Sequence, residues 1–264
     1  MEIVGYLASL CIGIALGMLG GGGSILTVPV LVYLFQVSPL AATTYSLGIV
    51  GITSVAAATK KFKAQQVDFK IALLFGLPSM IAVFMVRRFV VPAIPESIRI
   101  GSYSMPSGKA LMLLFAMVML LASISMMRKP NGTSVATNAS LTSKAIGLLL
   151  LQGLAEGTLT GLVGAGGGFL IIPALVLISK LPMTTAVGTS LLIIGVKSLI
   201  GFGASMSNSS LNITLFLGIV AAAIIGMLLG IQWSKQVPAQ RLKRAFGVFV
   251  LLMALLILYK EFVA

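Results

Sequence analysis

Long apolar stretches separated by short polar ones dominate this chain. In the first half they fall at about 3–19, 24–36, 40–59, 70–88 and 109–127, and in the second at about 144–163, 168–179, 184–205, 211–233 and 243–262. Most are about 17–22 residues long, the length at which an α-helix crosses about 30 Å of hydrocarbon. The pattern predicts an all-α, polytopic integral membrane bundle.

Two of these stretches, beginning at Ser24 and Gly168, are only about 12–13 residues long, too short to cross a bilayer at 1.5 Å per residue. Each follows a glycine cluster, which we name the first glycine unit (Gly20–Ser24) and the second glycine unit (Gly164–Gly168). The units repeat at an offset of 144 residues, which also aligns Ser46 with Ser190. A duplicated membrane protein with two broken helices is typical of secondary transporters.

A polar interval near the middle divides the two copies. We therefore assign 1–127 to a first transmembrane repeat, 128–143 to a polar linker and 144–264 to a second transmembrane repeat. If each glycine unit crosses the membrane, eight Lys and Arg residues lie on one side and nine on the other. If each unit enters and leaves on one side, the count becomes twelve against five, as expected when the richer side is cytoplasmic.

The count thus favours re-entrant units, although a tilted, closely packed hairpin would give the same parity. Each half then makes three crossings, so the two halves are predicted to be inserted in opposite orientations, with both termini outside. This is the inverted repeat of many transporters.

Composition supports the membrane assignment and narrows the chemistry. The chain is 58% hydrophobic and 9% charged, with a mean hydropathy of +1.13. Its 18 basic residues against 5 acidic ones flank apolar spans, which indicates a lipid bilayer and not nucleic acid as the partner. With no histidine and a single cysteine, Cys11, we expect no metal site, no cofactor and no enzymatic activity.

The glycine units are candidate anion sites. A half-helix that begins just after such a break points its first N–H groups and the positive end of its dipole into the break, where oxyanions are favoured. The residues expected to contact a small anion are Gly21, Gly22, Gly23, Ser24, Tyr45, Ser46, Ala165, Gly166, Gly167, Gly168, Thr189, Ser190 and Lys197, with Thr43 and Thr44 nearby. The alternative is that the glycines only pack helices and the hydroxyls bond to their own helix.

Two ionisable residues, Glu156 and Lys197, stand inside predicted membrane segments, where a charge is costly and therefore indicates function. Lys197 could attract the anion, while Glu156 could carry a coupling proton or pair with Lys197. A purely structural ion pair is the alternative. The interval from Arg87 to Lys109, rich in proline, is predicted to be an outer loop with a short amphipathic turn.

The doubled glycine unit ending in Pro-x-Leu (Gly20–Leu31 and Gly164–Leu175), followed by Ala186–Leu191, resembles the TauE/SafE sulfite exporter family, also called the toluene-sulfonate uptake permeases. The resemblance implies a prokaryotic inner-membrane protein of seven to nine spans that moves sulfite, sulfoacetate or a related sulfur-containing anion, driven by the proton gradient. Ala42–Ser46 departs from the second copy, which leaves the first-half ligands less defined. An anion channel, an accessory membrane subunit and an intramembrane enzyme using Glu156 remain the competing classes, and the oligomeric state is open.

Overall fold

The fold is an all-α bundle, as the apolar segments predicted. The structure is a computed structural model that describes residues 2–95, 97–100, 103–127, 143–206, 212–234 and 239–263. The first half contains α1 (Glu2–Leu19), α2 (Thr27–Tyr33), α3 (Pro39–Lys63), α4 (Phe69–Met85) and α5 (Ser107–Met127). The second half contains α6 (Ser143–Val163), α7 (Gly168–Leu177), α8 (Met183–Ser205), α9 (Ile213–Trp233) and α10 (Ala239–Val263).

Within the described residues, seven helices are long and apolar enough to cross a membrane. Their outer faces carry large apolar side chains, such as the stripe on α4 formed by Leu73, Leu77, Ile81 and Phe84. A row spaced by three or four residues lies on one helix face. Exposure of such a row fits a protein whose surroundings are hydrocarbon.

The short helices follow the glycine units. A 3₁₀ segment, Gly22–Leu26, leads into the seven-residue α2, and α7 has ten residues. The predicted half-helices are therefore present at both places. Most of the predicted linker, 128–142, lies outside the described residues, and Ser143 already begins α6.

The interval between α4 and α5 differs from the prediction. A π-helical turn, Val86–Val90, and a 3₁₀ turn, Val91–Ala93, continue α4, so Arg87 belongs to a helix and not to a loop. The predicted amphipathic turn is wrong: β1 (Ser97–Ile100) and β2 (Tyr103–Pro106) form a small antiparallel hairpin there. Polarity and proline content alone do not distinguish a hairpin from a helical turn.

Equivalent helices begin in the same way in the two halves. The 144-residue offset places the start of α4 on the start of α9. Asp68 Oδ1 accepts a hydrogen bond from the Ile71 N–H at 3.0 Å, and Asn212 Oδ1 accepts one from the Leu215 N–H at 3.2 Å. Each side chain thereby caps an otherwise unpaired N–H of the first turn.

Helix pairing is also shared between the halves. α1 packs on α9, and the equivalent α6 packs on α4, while α3 packs on α8 and α5 on α10. Exchanging the halves turns this set of pairs into itself, as a two-fold relation requires. Small residues permit the closest pairs: a Cβ on Gly13 or Gly17 would overlap the α9 backbone.

The direction of the helices bears on the glycine units. The Tyr6 ring, near the start of α1, packs edge-on against Phe35, just after α2, with 5.6 Å between centroids. Gly48 packs against Phe202 and Gly195 against Val55, so α3 and α8 run antiparallel. Both observations fit units that return to the side where they began. The orientation of the bundle in a membrane, and the inverted insertion of the halves, stay predictions.

Candidate functional site

The two glycine units touch in the interior of the bundle. A Cβ built on Gly168 would lie 2.6 Å from the carbonyl carbon and oxygen of Gly21, so the two backbones are in van der Waals contact. Beside them, a Cβ on Gly166 would lie 3.1 Å from the Cβ of Ser24. All four residues are buried, and they come from opposite halves of the chain.

The helices after the breaks start at this contact. Gly21 (φ 113°) precedes the 3₁₀ segment and Gly167 (φ 68°) precedes α7, in backbone conformations that glycine adopts without strain. The first N–H groups of both helices therefore lie at the junction of the units. The buried Gly22 and Ala165 belong to the same region, whereas Gly23 packs against the α1 backbone.

Lys197 and Glu156 form a buried ion pair beside the second glycine unit. Nζ of Lys197 bonds to Oε1 of Glu156, and the two side chains are 0% and 4% exposed. Ser79 donates to Oε2 of Glu156 and Thr160 donates to Oε1, both at 2.7 Å. The Glu156 carboxylate lies so close to Gly167 that a Cβ there would collide with it.

The network leaves the carboxylate well supplied with donors. Lys197 also donates to Thr160 Oγ1 at 3.2 Å, so the ammonium contacts both members of an i, i+4 pair on α6. Burial of two opposite charges is tolerable because each offsets the other and hydroxyls satisfy the remaining lone pairs. Sequence reasoning missed Ser79 and Thr160. A serine or threonine hydroxyl that donates to a carboxylate looks the same in the sequence as one that donates to a carbonyl of its own helix.

The polar residues predicted on α3 and α8 link the two halves. Tyr45 and Thr189 are equivalent by the 144-residue offset. The N–H of Asp68 donates to Thr189 Oγ1 at 2.9 Å, and the N–H of Asn212 donates to the Tyr45 hydroxyl. Each residue thus accepts a bond from a helix cap in the opposite half.

Ser190 reaches the first glycine unit directly. Its Oγ lies 3.0 Å from the Gly20 carbonyl oxygen and 2.8 Å from that of Val187. Ser46, its repeat equivalent, is fully buried and its Oγ has no hydrogen-bond partner among the described residues. Ser46 therefore retains a free donor in the interior, while Ser190 fastens α8 to the first glycine unit.

The buried ionisable residues have no ionisable counterparts at the equivalent positions of the other half. Glu156 lies on α6, Lys197 on α8 and the buried Arg87 in the π-helical turn that continues α4, and α4 packs on both α6 and α8. The positions equivalent to Glu156, Lys197 and Arg87 are Ile12, Thr53 and Ile231. The two halves therefore differ around the glycine units, since the ion pair has no counterpart at the equivalent positions of the other half. Among the described residues, no three histidine, cysteine or carboxylate side chains come together.

Sequence reasoning also missed the burial of Arg87. Arg87 is 1% exposed, and its Nη1 donates to Thr43 Oγ1 at 3.0 Å. The predicted apolar segment 70–88 already included this residue near its end, next to Arg88. Hydropathy gives the length of a span but not the face on which a charge lies.

Comparison with known proteins gives matches over nearly the whole chain. Residues 6–257 match the family model of the sulfite exporter TauE/SafE. A "Probable membrane transporter protein" of Xylella fastidiosa (strain Temecula1) is 29% identical over 257 residues, covering 95% of this chain and 92% of the relative. The "Probable membrane transporter protein YunE" of Bacillus subtilis is 26% identical over 262 residues, covering 92% of each.

A further relative, the "Probable membrane transporter protein YdhB" of Bacillus subtilis, is 23% identical over 248 residues and covers 94% of this chain and 96% of the relative. No solved structure matches the chain. The match to the family model extends over both repeats and both glycine units. The chain therefore belongs to the TauE/SafE sulfite exporter family of membrane transporters.

Proposed function

We propose that this chain is a secondary transporter of small sulfur-containing oxyanions, such as sulfite or sulfoacetate, coupled to protons and located in a prokaryotic inner membrane. The contact between the two glycine units beside the Lys197–Glu156 pair carries the proposal. Helix N-termini and an ammonium group converge there, and both favour an anion. The name of the family points to the same class of substrate.

The observed packing corresponds to a closed conformation in this proposal. Gly21 and Gly168 lie in direct contact, which leaves no room for an anion between them. Admission of the anion requires the units to separate, exposing the N–H groups that follow Gly21 and Gly167. Ser24 and Ser46 then supply hydroxyl donors, and Thr189, Ser190 and Tyr45 shape the site.

Charge balance explains how a proton could couple to the anion. In the closed conformation the ammonium of Lys197 is neutralised by Glu156. Protonation of Glu156 releases Lys197, and a singly charged anion such as hydrogen sulfite then restores the balance, so that the site holds no net charge when it carries such an anion. Since a net charge at membrane depth is strongly disfavoured, anion and proton enter and leave together.

Flux into liposomes containing the purified protein tests this proposal. Sulfite, sulfate, sulfoacetate and thiosulfate are compared with and without an imposed pH difference. We expect saturable flux of at least one anion, accelerated when protons and anion move in the same direction. Absence of saturable flux for all four anions, or flux indifferent to the pH difference, would contradict the proposal.

Two variants assign the roles in the same assay. Lys197→Met is expected to abolish flux, whereas Lys63→Met, which removes an exposed ammonium at the end of α3, leaves it unchanged. Glu156→Gln is expected to retain anion exchange but to lose its response to the pH difference. Equal flux in Lys197→Met and the wild type would exclude the ammonium from the anion path.

A further inference from the structure

The guanidinium of Arg87 has two nitrogens with no protein partner. Arg87 lies in the π-helical turn that continues α4 and is 1% exposed. Nη1 donates to Thr43 Oγ1 at 3.0 Å, while Nε and Nη2 are buried and have no hydrogen-bond partner among the described residues. Thr43 is itself engaged, since its hydroxyl donates to the Leu40 carbonyl at 2.7 Å.

No described carboxylate balances this charge. Asp68 caps the opposite end of α4, Glu156 pairs with Lys197, and Glu261 accepts a bond from Tyr33. These are the acidic residues whose side chains the structure describes. A buried cation with unpaired N–H groups is strongly unfavourable. The closed conformation therefore retains a buried positive group that an anion would satisfy.

The unpaired nitrogens have the right geometry for an oxyanion. Nε–H and Nη2–H lie on one edge of the planar guanidinium and point in parallel, which matches two oxygens of a carboxylate, phosphate or sulfur oxyanion. A spherical anion such as chloride can accept from both donors with one atom but cannot place a separate acceptor in line with each N–H. The geometry thus favours an oxyanion over a simple halide.

Arg87 lies next to the second glycine unit, and no hydrogen bond or ion pair among the described residues joins it to the Lys197–Glu156 pair. Thr43, its hydrogen-bond partner, packs against Gly164, and the neighbouring Val86 packs against Gly161. Ser79, which bonds to Glu156, precedes Arg87 by eight residues on the same helix, a rise of about 12 Å. The backbone positions of Ser79 and Arg87 are therefore about two helical turns apart along this helix.

We propose that Arg87 forms a separate oxyanion-binding site at the second glycine unit, from which the transported anion passes to Lys197. This inference rests on the proposed transport function and adds to the path of the anion a binding site that is occupied before Lys197. The anion held there is bound by Nε–H and Nη2–H.

Anion-dependent thermal stability in lipid-free detergent micelles tests the site itself. Sulfite and sulfate are titrated, with chloride at equal ionic strength as the control. We expect the oxyanions to raise the unfolding midpoint of the wild type and of Lys197→Met. Arg87→Lys, which keeps the charge but loses the two parallel N–H donors, is expected to weaken the apparent affinity for oxyanions about tenfold or more. Arg88→Lys, which alters an exposed neighbour, should bind as the wild type does.

Arg87→Met separates binding from structure. If the arginine binds anions, this variant loses the oxyanion effect and, without anion, is at least as stable as the wild type, since an unpaired buried charge has been removed. If Arg87 serves only to hold Thr43, the variant is less stable at every anion concentration and keeps the oxyanion effect. That second outcome, or an equal effect of chloride and sulfite, would overturn the proposal.

Transport kinetics distinguish failure of this inference from failure of the proposed function. We expect Arg87→Lys to raise KM for sulfite about tenfold or more with little change in the maximal rate. An unchanged KM of Arg87→Lys, with normal flux through the wild type, would overturn the binding site at Arg87 and leave the transport proposal intact. Stabilisation that requires added anionic phospholipid and ignores sulfite would assign the two parallel N–H donors to a lipid headgroup and overturn the proposal as well.

Discussion

Gly168→Ala acts directly on the contact between the two glycine units. Its backbone conformation suits any residue, so the substitution introduces a methyl group without backbone strain. The new Cβ would lie 2.6 Å from the carbonyl carbon and oxygen of Gly21. Because carbon atoms pack at about 3.5–4.0 Å, the units must separate by roughly 1 Å.

Overpacking of a close contact costs about 1–3 kcal/mol. At 1.4 kcal/mol per factor of ten, the closed conformation loses about 5- to 150-fold in population relative to one with separated units. We expect a fall in the unfolding midpoint of about 2–4 °C per kcal/mol. Oxyanion binding should tighten, since the conformation that admits the anion becomes more populated.

Thermal unfolding in detergent, with and without sulfite, measures both effects. Gly147→Ala and Gly203→Ala are matched controls, because a Cβ at either helical position meets nothing within 4 Å. These controls are expected to be unchanged or stabilised by up to about 1 kcal/mol. A Gly168→Ala protein as stable as the controls, with unaltered anion affinity, would refute the contact.

Three further predictions address the ion pair, the first glycine unit and the topology. Lys197→Met and Glu156→Gln should each lower the free energy of unfolding by about 3–5 kcal/mol, because each single variant leaves a lone buried charge. The double variant should lose less than the sum of the two. Additive losses of unfolding free energy would contradict the pairing. Gly22→Ala, whose Cβ would lie 3.3 Å from that of Leu19, requires Leu19 to shift by a few tenths of an ångström, so we expect a folded protein that loses sulfite uptake, and normal uptake would limit this glycine to packing. Cysteines at the exposed Gln65 and Lys180 should react with an impermeant maleimide from the same membrane face, and labelling from opposite faces would contradict re-entrant units.

Much of the fold follows from local sequence features. The apolar segments gave each helix to within a few residues, because segment length and hydropathy are read along the chain alone. Repetition at 144 residues located both short helices, and the cost of a charge in hydrocarbon identified Glu156 and Lys197. Their pairing was one of two interpretations, since one sequence does not show which helices are neighbours.

Contacts between the two halves could not be predicted from the sequence. The bonds from Asp68 to Thr189 and from Asn212 to Tyr45 join residues more than a hundred positions apart. Their side chains carry ordinary hydroxyl and cap chemistry, so nothing local indicates the partner. Arg87 was assigned to a loop because basic residues usually end a span, whereas the π-helical turn carries it into the bundle. Anion binding at the glycine units stays a prediction.

Reversible cross-linking of the two glycine units tests the transport account most directly. In a Cys11→Ser background, Ser24→Cys and Gly166→Cys place two Cβ atoms about 3.1 Å apart, so that a shift of about 0.4 Å reaches the 3.5–4.5 Å of a disulfide. The single variants control for crowding at either position. We predict that oxidation of the double variant stops sulfite flux into liposomes and that a reductant restores it. Full flux through the cross-linked protein would contradict separation of the units and, with it, the proposed path of the anion.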